Sequence, residues 1–183
     1  MSEQNTEELI RADAHAVQQL ALVTRLCPAN SFIAAGFVRN RVWDALYEPK
    51  PEAPVADVDV VFYCTKDDRP ERDYALEAVL KQHDPSTNWQ VRNQARMHKA
   101  RGRDPFTSLE DALMHWPETA TSIGVRLDNT GKMHSIAPFG FDDLAHHILR
   151  ITPAAKAAGA HIFEKRLKEK GWVGRWPRVQ VIR

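Results

Sequence analysis

Apolar residues first recur at helical spacing between Thr6 and Leu26, where Leu9, Ala12, Ala16, Leu20 and Val23 share one side. The pattern predicts one amphipathic helix, capped by Thr6 and stopped at Cys27-Pro28. Ser31 to Ala35 is short and apolar, as a buried strand is, and Gly36 turns the chain into a second helix over Phe37 to about Leu46. Pro49, Pro51 and Pro54 among charged residues predict a surface loop between Tyr47 and Pro54. Asp57 to Cys64 reads as a strand, with Val58, Val60 and Phe62 on the face opposite Asp57 and Asp59. A turn over Asp67 to Pro70 leads to a helix over Glu71 to His83.

The second half repeats the alternation. Val91, Ala95 and Met97 against Arg92, Gln94 and Arg96 predict a strand over Trp89 to Met97. Phe106 to Trp116 is helical, with Thr107 or Ser108 as cap. Ser122 to Leu127 and Lys132 to Ala137 flank Asp128-Asn129-Thr130-Gly131, which is hairpin chemistry. Helices over Phe141 to Leu149 and Ala154 to Lys170 follow, the second ended by Gly171. Trp172 to Pro177 then forms an aromatic clasp on the core. The class is α+β: a mixed sheet backed by helices on one face, with the Asp pair on the open face and additional helices at the C-terminus.

Composition adjusts this picture little. The 183 residues are 43% apolar and 27% charged, as in ordinary globular proteins. They predict a single domain over 1–183, with a core at about 20–150 and a C-terminal helix and aromatic tail over 154–183. A net charge of +1 gives no whole-chain argument for a nucleic-acid or membrane partner. Cys27 and Cys64 lack metal spacing and fit a reducing, cytoplasmic setting. The polar, acidic start has no signal-peptide character, and no apolar run approaches the roughly 18 residues of a membrane span.

The chemistry concentrates in two places. Asp57 and Asp59, spaced i, i+2, point to one face of their strand and suit Mg²⁺ or Mn²⁺, because a hard cation takes one or two carboxylates plus substrate phosphate oxygens. Gly36 opens a helix whose free N–H groups suit phosphate. Arg39, within the first turn, contacts phosphate or pairs with a surface acid. Arg92, Gln94, Arg96 and His98, followed by Lys99, Arg101 and Arg103, form a locally positive stripe with no acid between Trp89 and Arg103. Lys165, Arg166, Lys168, Lys170, Arg175 and Arg178 read as a solvated helix face. Glu118, ahead of a predicted strand, is a stand-in carboxylate or a backbone cap.

Ala35-Gly36-Phe37-Val38-Arg39-Asn40 and Asp57-Val58-Asp59 resemble the nucleotidyltransferase superfamily of DNA polymerase β. They are most similar to its CCA-adding and poly(A)-polymerase branch, which carries Gly-Gly-x-Val-Arg-Asp and then Asp-x-Asp. Ser122-Ile123-Gly124-Val125-Arg126-Leu127, Gly131 and the stretch from Ala137 to Leu144 are similar to the hairpin and Pro-Phe-Gly-Gly-x-x-Asp-Leu segment of those enzymes. The strings from Val91 to His98 and from Trp116 to Thr121 resemble an uncharacterised bacterial nucleotidyltransferase-like family, over about Leu20 to Val181. The resemblance implies Mg²⁺-dependent transfer of a nucleotidyl group from an NTP to an unknown acceptor. Asp57 and Asp59 would be catalytic and hold metal; Gly36, Phe37, Arg39, Arg92 and Asn93 would bind substrate. The superfamily's third carboxylate is missing, with Arg92 or Asn93 near its place, so the alternative is a catalytically inactive nucleotide- or partner-binding module.

Overall fold

The computed structural model describes residues 3–52, 56–99 and 102–183. Among them the order is α1 (Glu3–Arg11), α2 (Ala14–Leu26), β1 (Phe32–Ala34), α3 (Gly36–Asp44), β2 (Asp57–Phe62), α4 (Pro70–His83), β3 (Asn88–Asn93), α5 (Leu109–Met114), β4 (Gly124–Leu127) and β5 (Met133–Ile136). There follow α6 (Asp142–Ala145), β6 (Ile148–Arg150), α7 (Pro153–Ala157), α8 (His161–Glu169), α9 (Trp172–Arg175) and β7 (Gln180–Ile182). Five strands form one mixed sheet in the order β3-β2-β1-β4-β5. Its β2/β3 pair is parallel, while β1/β2, β1/β4 and β4/β5 are antiparallel. A separate parallel pair joins β6 to β7 and ties the end of the chain back to the fold.

Period-two alternation decides which face is which. Val60, Phe62, Trp89 and Val91 enter the main core with Leu20, Val23, Val38, Val42 and Leu80 from the helices. Ala34 and Val61, on the other face, meet Leu109 and Leu113 of α5 in a smaller cluster. The face expected to be open is therefore roofed at its far end by α5, and the Asp pair lies in the remaining half.

Predicted helices break wherever a polar side chain or a left-handed residue outcompetes the periodicity. The single helix expected over Thr6 to Leu26 is two: the Asp13 carboxylate accepts from the backbone N–H groups of His15 and Ala16 at 3.0 and 3.2 Å, which caps α2. The helix expected over Ala154 to Lys170 is interrupted where Gly159 (φ 100°) and Ala160 (φ 56°) separate α7 from α8. The helix expected over Phe141 to Leu149 stops after one turn, and His147 (φ 62°) redirects the chain into β6. The strand expected to reach Met97 ends at Asn93, whose side chain accepts from Ala95 N at 3.1 Å and starts a 3₁₀ turn over Gln94–Arg96. Of the proline loop, Pro54 lies outside the described residues, as does Arg101 of the basic stripe. No helix among the described residues is long and apolar enough to cross a membrane.

Candidate active site

Asp57 and Asp59 stand on one face of β2, half-buried, at the mouth of a cavity of about 470 Å³. Antiparallel pairing sets Ala34 against Asp59, so the chain leaving β1 starts α3 beside the Asp pair. Helical geometry leaves the N–H groups of Gly36, Phe37 and Val38 without an intrahelical acceptor, and no side chain caps this helix. Burial first, and the neighbouring Asp57 carboxylate second, push the Asp59 carboxyl up to about 6, although Arg166, Lys170 and Arg39 oppose this. A pair of acids with that excess of negative charge suits a divalent cation. Glu52 lines the same cavity, but among the described residues no three His, Cys, Asp or Glu stand close enough together to hold a metal ion. The remaining coordination thus fits Mg²⁺ completed by substrate phosphate oxygens.

The opposite wall is cationic: Arg39, Arg166, Lys170 and Arg175 line the same cavity. Arg39 is 6% exposed and lies over the Trp172 ring at 4.7 Å and the Trp176 ring at 5.5 Å. Its Nη2 donates to Asn40 Oδ1 at 2.8 Å, its Nε has no partner, and burial pulls its pKa down to about 10. Arg166 reaches the cavity from α8 with its guanidinium gripped by Glu118, Nε to Oε1 at 2.6 Å and Nη2 to Oε2 at 3.1 Å. Arg175 is held by Asp44 through one bond, Nη2 to Oδ2 at 2.6 Å. Each of these two cations is oriented by an acid behind it while facing the pocket.

A family model described as nucleotidyltransferase matches residues 21–181. The chain belongs to this nucleotidyltransferase family. Among solved structures it is similar to a protein whose NMR structure reveals a CCA-adding enzyme head domain, with 27% identity, a TM-score of 0.84, and coverage of 98% of this chain and 95% of that one. It shares the fold of a CCA-adding enzyme in complex with CTP at 12% identity and TM-score 0.61, covering 97% of this chain and 43% of that one. The Bacillus stearothermophilus CCA-adding enzyme with CTP matches at 15% and 0.52, over 92% and 40%. The chain thus spans less than half the length of those two enzymes. No curated protein matches. Family and head fold together support a nucleotidyl-transfer role.

Within this family member the structure moves several expected residues. Parallel register sets Gln90 beside Asp59 and Asn88 beside Asp57, so amides, not Arg92 or Asn93, flank the acids. Asn88 Nδ2 donates to Asp57 Oδ1. Asn93 faces the core, fully buried, with its amide spent on Cys64 N, Cys64 O and Asp67 O, which leaves it no donor for substrate. Arg92 stands opposite Val61, away from the cationic cavity, and its guanidinium donates to Glu77. The positive stripe dissolves further: Arg96 pairs with buried Asp73, and Lys99 with Asp68 at 2.8 Å. Glu118, wholly buried, is neither a stand-in ligand nor a backbone cap but the anchor of Arg166.

Two readings of the sequence fail more instructively. The C-terminal cations were expected on a solvated face, yet Arg166 and Lys170, one helical turn apart, share the cavity with Arg175. The i, i+4 spacing followed by Gly171-Trp172 was the available signal. Nor is Gly36 the residue with the unusual backbone; that is Ala35 (φ 57°, ψ −122°), a conformation glycine tolerates better. A Cβ on Gly36 would meet only the Asn40 amide, at 3.4 Å, and Arg39 Nη2, at 3.7 Å. Gly36 is thus spared a side chain beside the cavity rather than needed for the turn.

Proposed function

We propose that this protein transfers a nucleotidyl group from an NTP to an acceptor hydroxyl with Mg²⁺ or Mn²⁺, in the cytoplasm. One observation carries the reading: a half-buried carboxylate pair stands beside an uncapped helix N-terminus at a cavity walled by Arg39, Arg166, Lys170 and Arg175. Asp57 and Asp59 would hold the divalent cation, which supplies charge neutralisation at the reacting phosphate. The N–H groups of Gly36 and Phe37 point toward the anion that a helix start favours. Arg39, held by its tryptophan cage, lines the same cavity and adds positive charge for the same phosphates. Arg166 and Lys170 offset the charge that builds on the leaving pyrophosphate, and their preorganisation means that little rearrangement is needed at the moment of transfer.

A second reading is a catalytically inactive nucleotide- or partner-binding module, favoured by the amides Gln90 and Asn88 beside the Asp pair, where a third acid would stand. Equilibrium dialysis of labelled NTPs with and without Mg²⁺, combined with a pyrophosphate-release assay over nucleic acid, protein and metabolite acceptors, separates the two. Metal-dependent binding with release supports transfer. Binding without release supports an inactive nucleotide-binding module, and no binding refutes both transfer and nucleotide binding, leaving the partner-binding form of the second reading.

A further inference from the structure

We propose that a second cavity, on the far side of Asp59, is the acceptor chamber and is built for a small, uncharged planar-ring compound bearing a hydroxyl group. The proposal rests on the transfer reading above. This cavity, about 300 Å³, shares Asp59 and Gln90 with the cationic one, and Val61, Met97, Phe106, His115 and Trp116 contribute to its wall. Its volume is at the lower end of small-molecule sites.

Direction along β2 assigns the two cavities. From Asp57 toward Val61 the strand runs away from Gly36, so the phosphate-binding elements lie at the Asp57 end and the second cavity at the Val61 end. Phosphoryl chemistry places the attacking and leaving oxygens roughly in line on opposite sides of phosphorus. With pyrophosphate leaving toward Gly36, Arg166 and Lys170, the attacking oxygen must arrive from the Val61 side. The NTP's own nucleoside is attached to the α-phosphorus through an oxygen off that axis. In the step, the acceptor oxygen bonds to the α-phosphorus. The bond from that phosphorus to the bridging oxygen breaks, its electron pair leaves with pyrophosphate, and the hydroxyl proton passes to solvent.

The chemistry of the wall selects the acceptor. Arg92 is the one lysine or arginine among its described lining residues, and its Nη1 donates to both Glu77 and the Val91 carbonyl, so its charge is already offset by Glu77. A phosphorylated acceptor would therefore lose hydration beside Asp59 for a cation that an acid already neutralises. Planar surface, in contrast, is abundant and preset. The Phe106 and His115 rings lie 4.8 Å apart at 30°, and the Tyr63 hydroxyl donates to Phe106 O, fixing that loop. Trp116 Nε1 donates to Gln94 Oε1 at 3.4 Å. The 3₁₀ turn after Asn93, absent from the expected strand, brings Met97 into the wall.

The test uses the full chain, Mg²⁺ and α-labelled NTPs with three acceptors: tryptophol (a neutral ring alcohol), glycerol (hydroxyls without a ring) and a short single-stranded RNA with a free 3′-hydroxyl. NTP binding is followed separately by equilibrium dialysis. Transfer to tryptophol should exceed that to glycerol and RNA by about tenfold, the equivalent of one aromatic contact. Trp116→Ala should lower tryptophol transfer by about tenfold while Mg–NTP binding stays within about twofold, since the phosphate cavity is separate. Phe106→Leu, which keeps apolar volume, should lower it in the same direction and serves if Trp116→Ala does not fold. Preference for glycerol or RNA, or folded variants that transfer as well as wild type, overturns the chamber. Failure of the wild type to bind NTP, or bound NTP with no transfer to any of the three, overturns the underlying reading instead.

Discussion

Replacing Asp59 with Asn should stabilise the metal-free protein, and by an amount that depends on pH. Asp59 titrates at about 6 in the fold against 3.8 as its ordinary value, because burial and then Asp57 disfavour its ionised form. The native state therefore binds more protons than the unfolded chain between those values. Its contribution to stability is fully present below about pH 4 and is lost as pH rises through 6. At roughly 1.4 kcal/mol per pH unit, that gap corresponds to about 3 kcal/mol of stability missing at pH 8. Asn keeps the shape, cannot ionise, and also spares Asp57 a like-charged neighbour. Asp59→Asn should thus exceed wild type by about 2–3 kcal/mol at pH 8, or about 5–10 °C in Tm for a chain of this size. The difference should shrink to near zero at pH 4, where both side chains are neutral. Urea denaturation of both proteins in a chelator from pH 4 to pH 8 measures it, since the titration of carboxylates not coupled to Asp59 cancels in the difference. An Asn variant no more stable than wild type at pH 8, or one whose advantage does not change with pH, refutes the assignment of an uncompensated charge at Asp59.

Glu118→Gln should cost about 3 kcal/mol in urea denaturation, because a wholly buried acid is removed from Arg166. It should also weaken NTP binding by dialysis, although Glu118 does not line the cavity. Ala35→Gly should raise stability by about 0.5–1 kcal/mol in thermal melts, strain relief at φ 57° outweighing the entropy of the added glycine. Gly36→Ala should leave the melt within about 0.5 kcal/mol of wild type, since its Cβ finds ordinary contacts. The same variant should lose NTP affinity in dialysis, because the new methyl stands between phosphate and the helix start.

Legibility in the sequence followed the range of the interactions. The Asp pair, its strand and the glycine helix could be read because each depends on periodicity or chain direction over a few residues. The hairpin about Asp128–Gly131 could be read for the same reason: Asp128 accepts from Thr130 N at 2.8 Å and Lys132 N at 3.1 Å, all within one turn. What escaped depends on register or on distant partners. A shift of two positions along β3 separates Arg92 from Gln90 as the neighbour of Asp59, and no local pattern sets that register. The basic stripe looked free because Glu77, Asp73 and Asp68, which neutralise it, precede it on another element. Arg166 lies 48 residues from Glu118, so its aim follows only from the closed fold.

Three unfavourable features meet in one cavity, and they share a remedy. Asp59 is ionised at neutral pH against the cost of burial, Arg39 is charged with an unpaired Nε, and Ala35 holds a backbone better suited to glycine. A fold selected for stability alone would remove each by a single substitution. A cation alone would relieve Asp59 but add to the positive charge near Arg39; an anion alone would do the reverse. A divalent metal bound to a polyphosphate would supply both charges, and the turn at Ala35 starts α3, with its free N–H groups, beside the Asp pair. The strain is thus distributed as the proposed metal–nucleotide site would require, which is why two carboxylates, an uncapped helix and cations from the far end of the chain are best understood together.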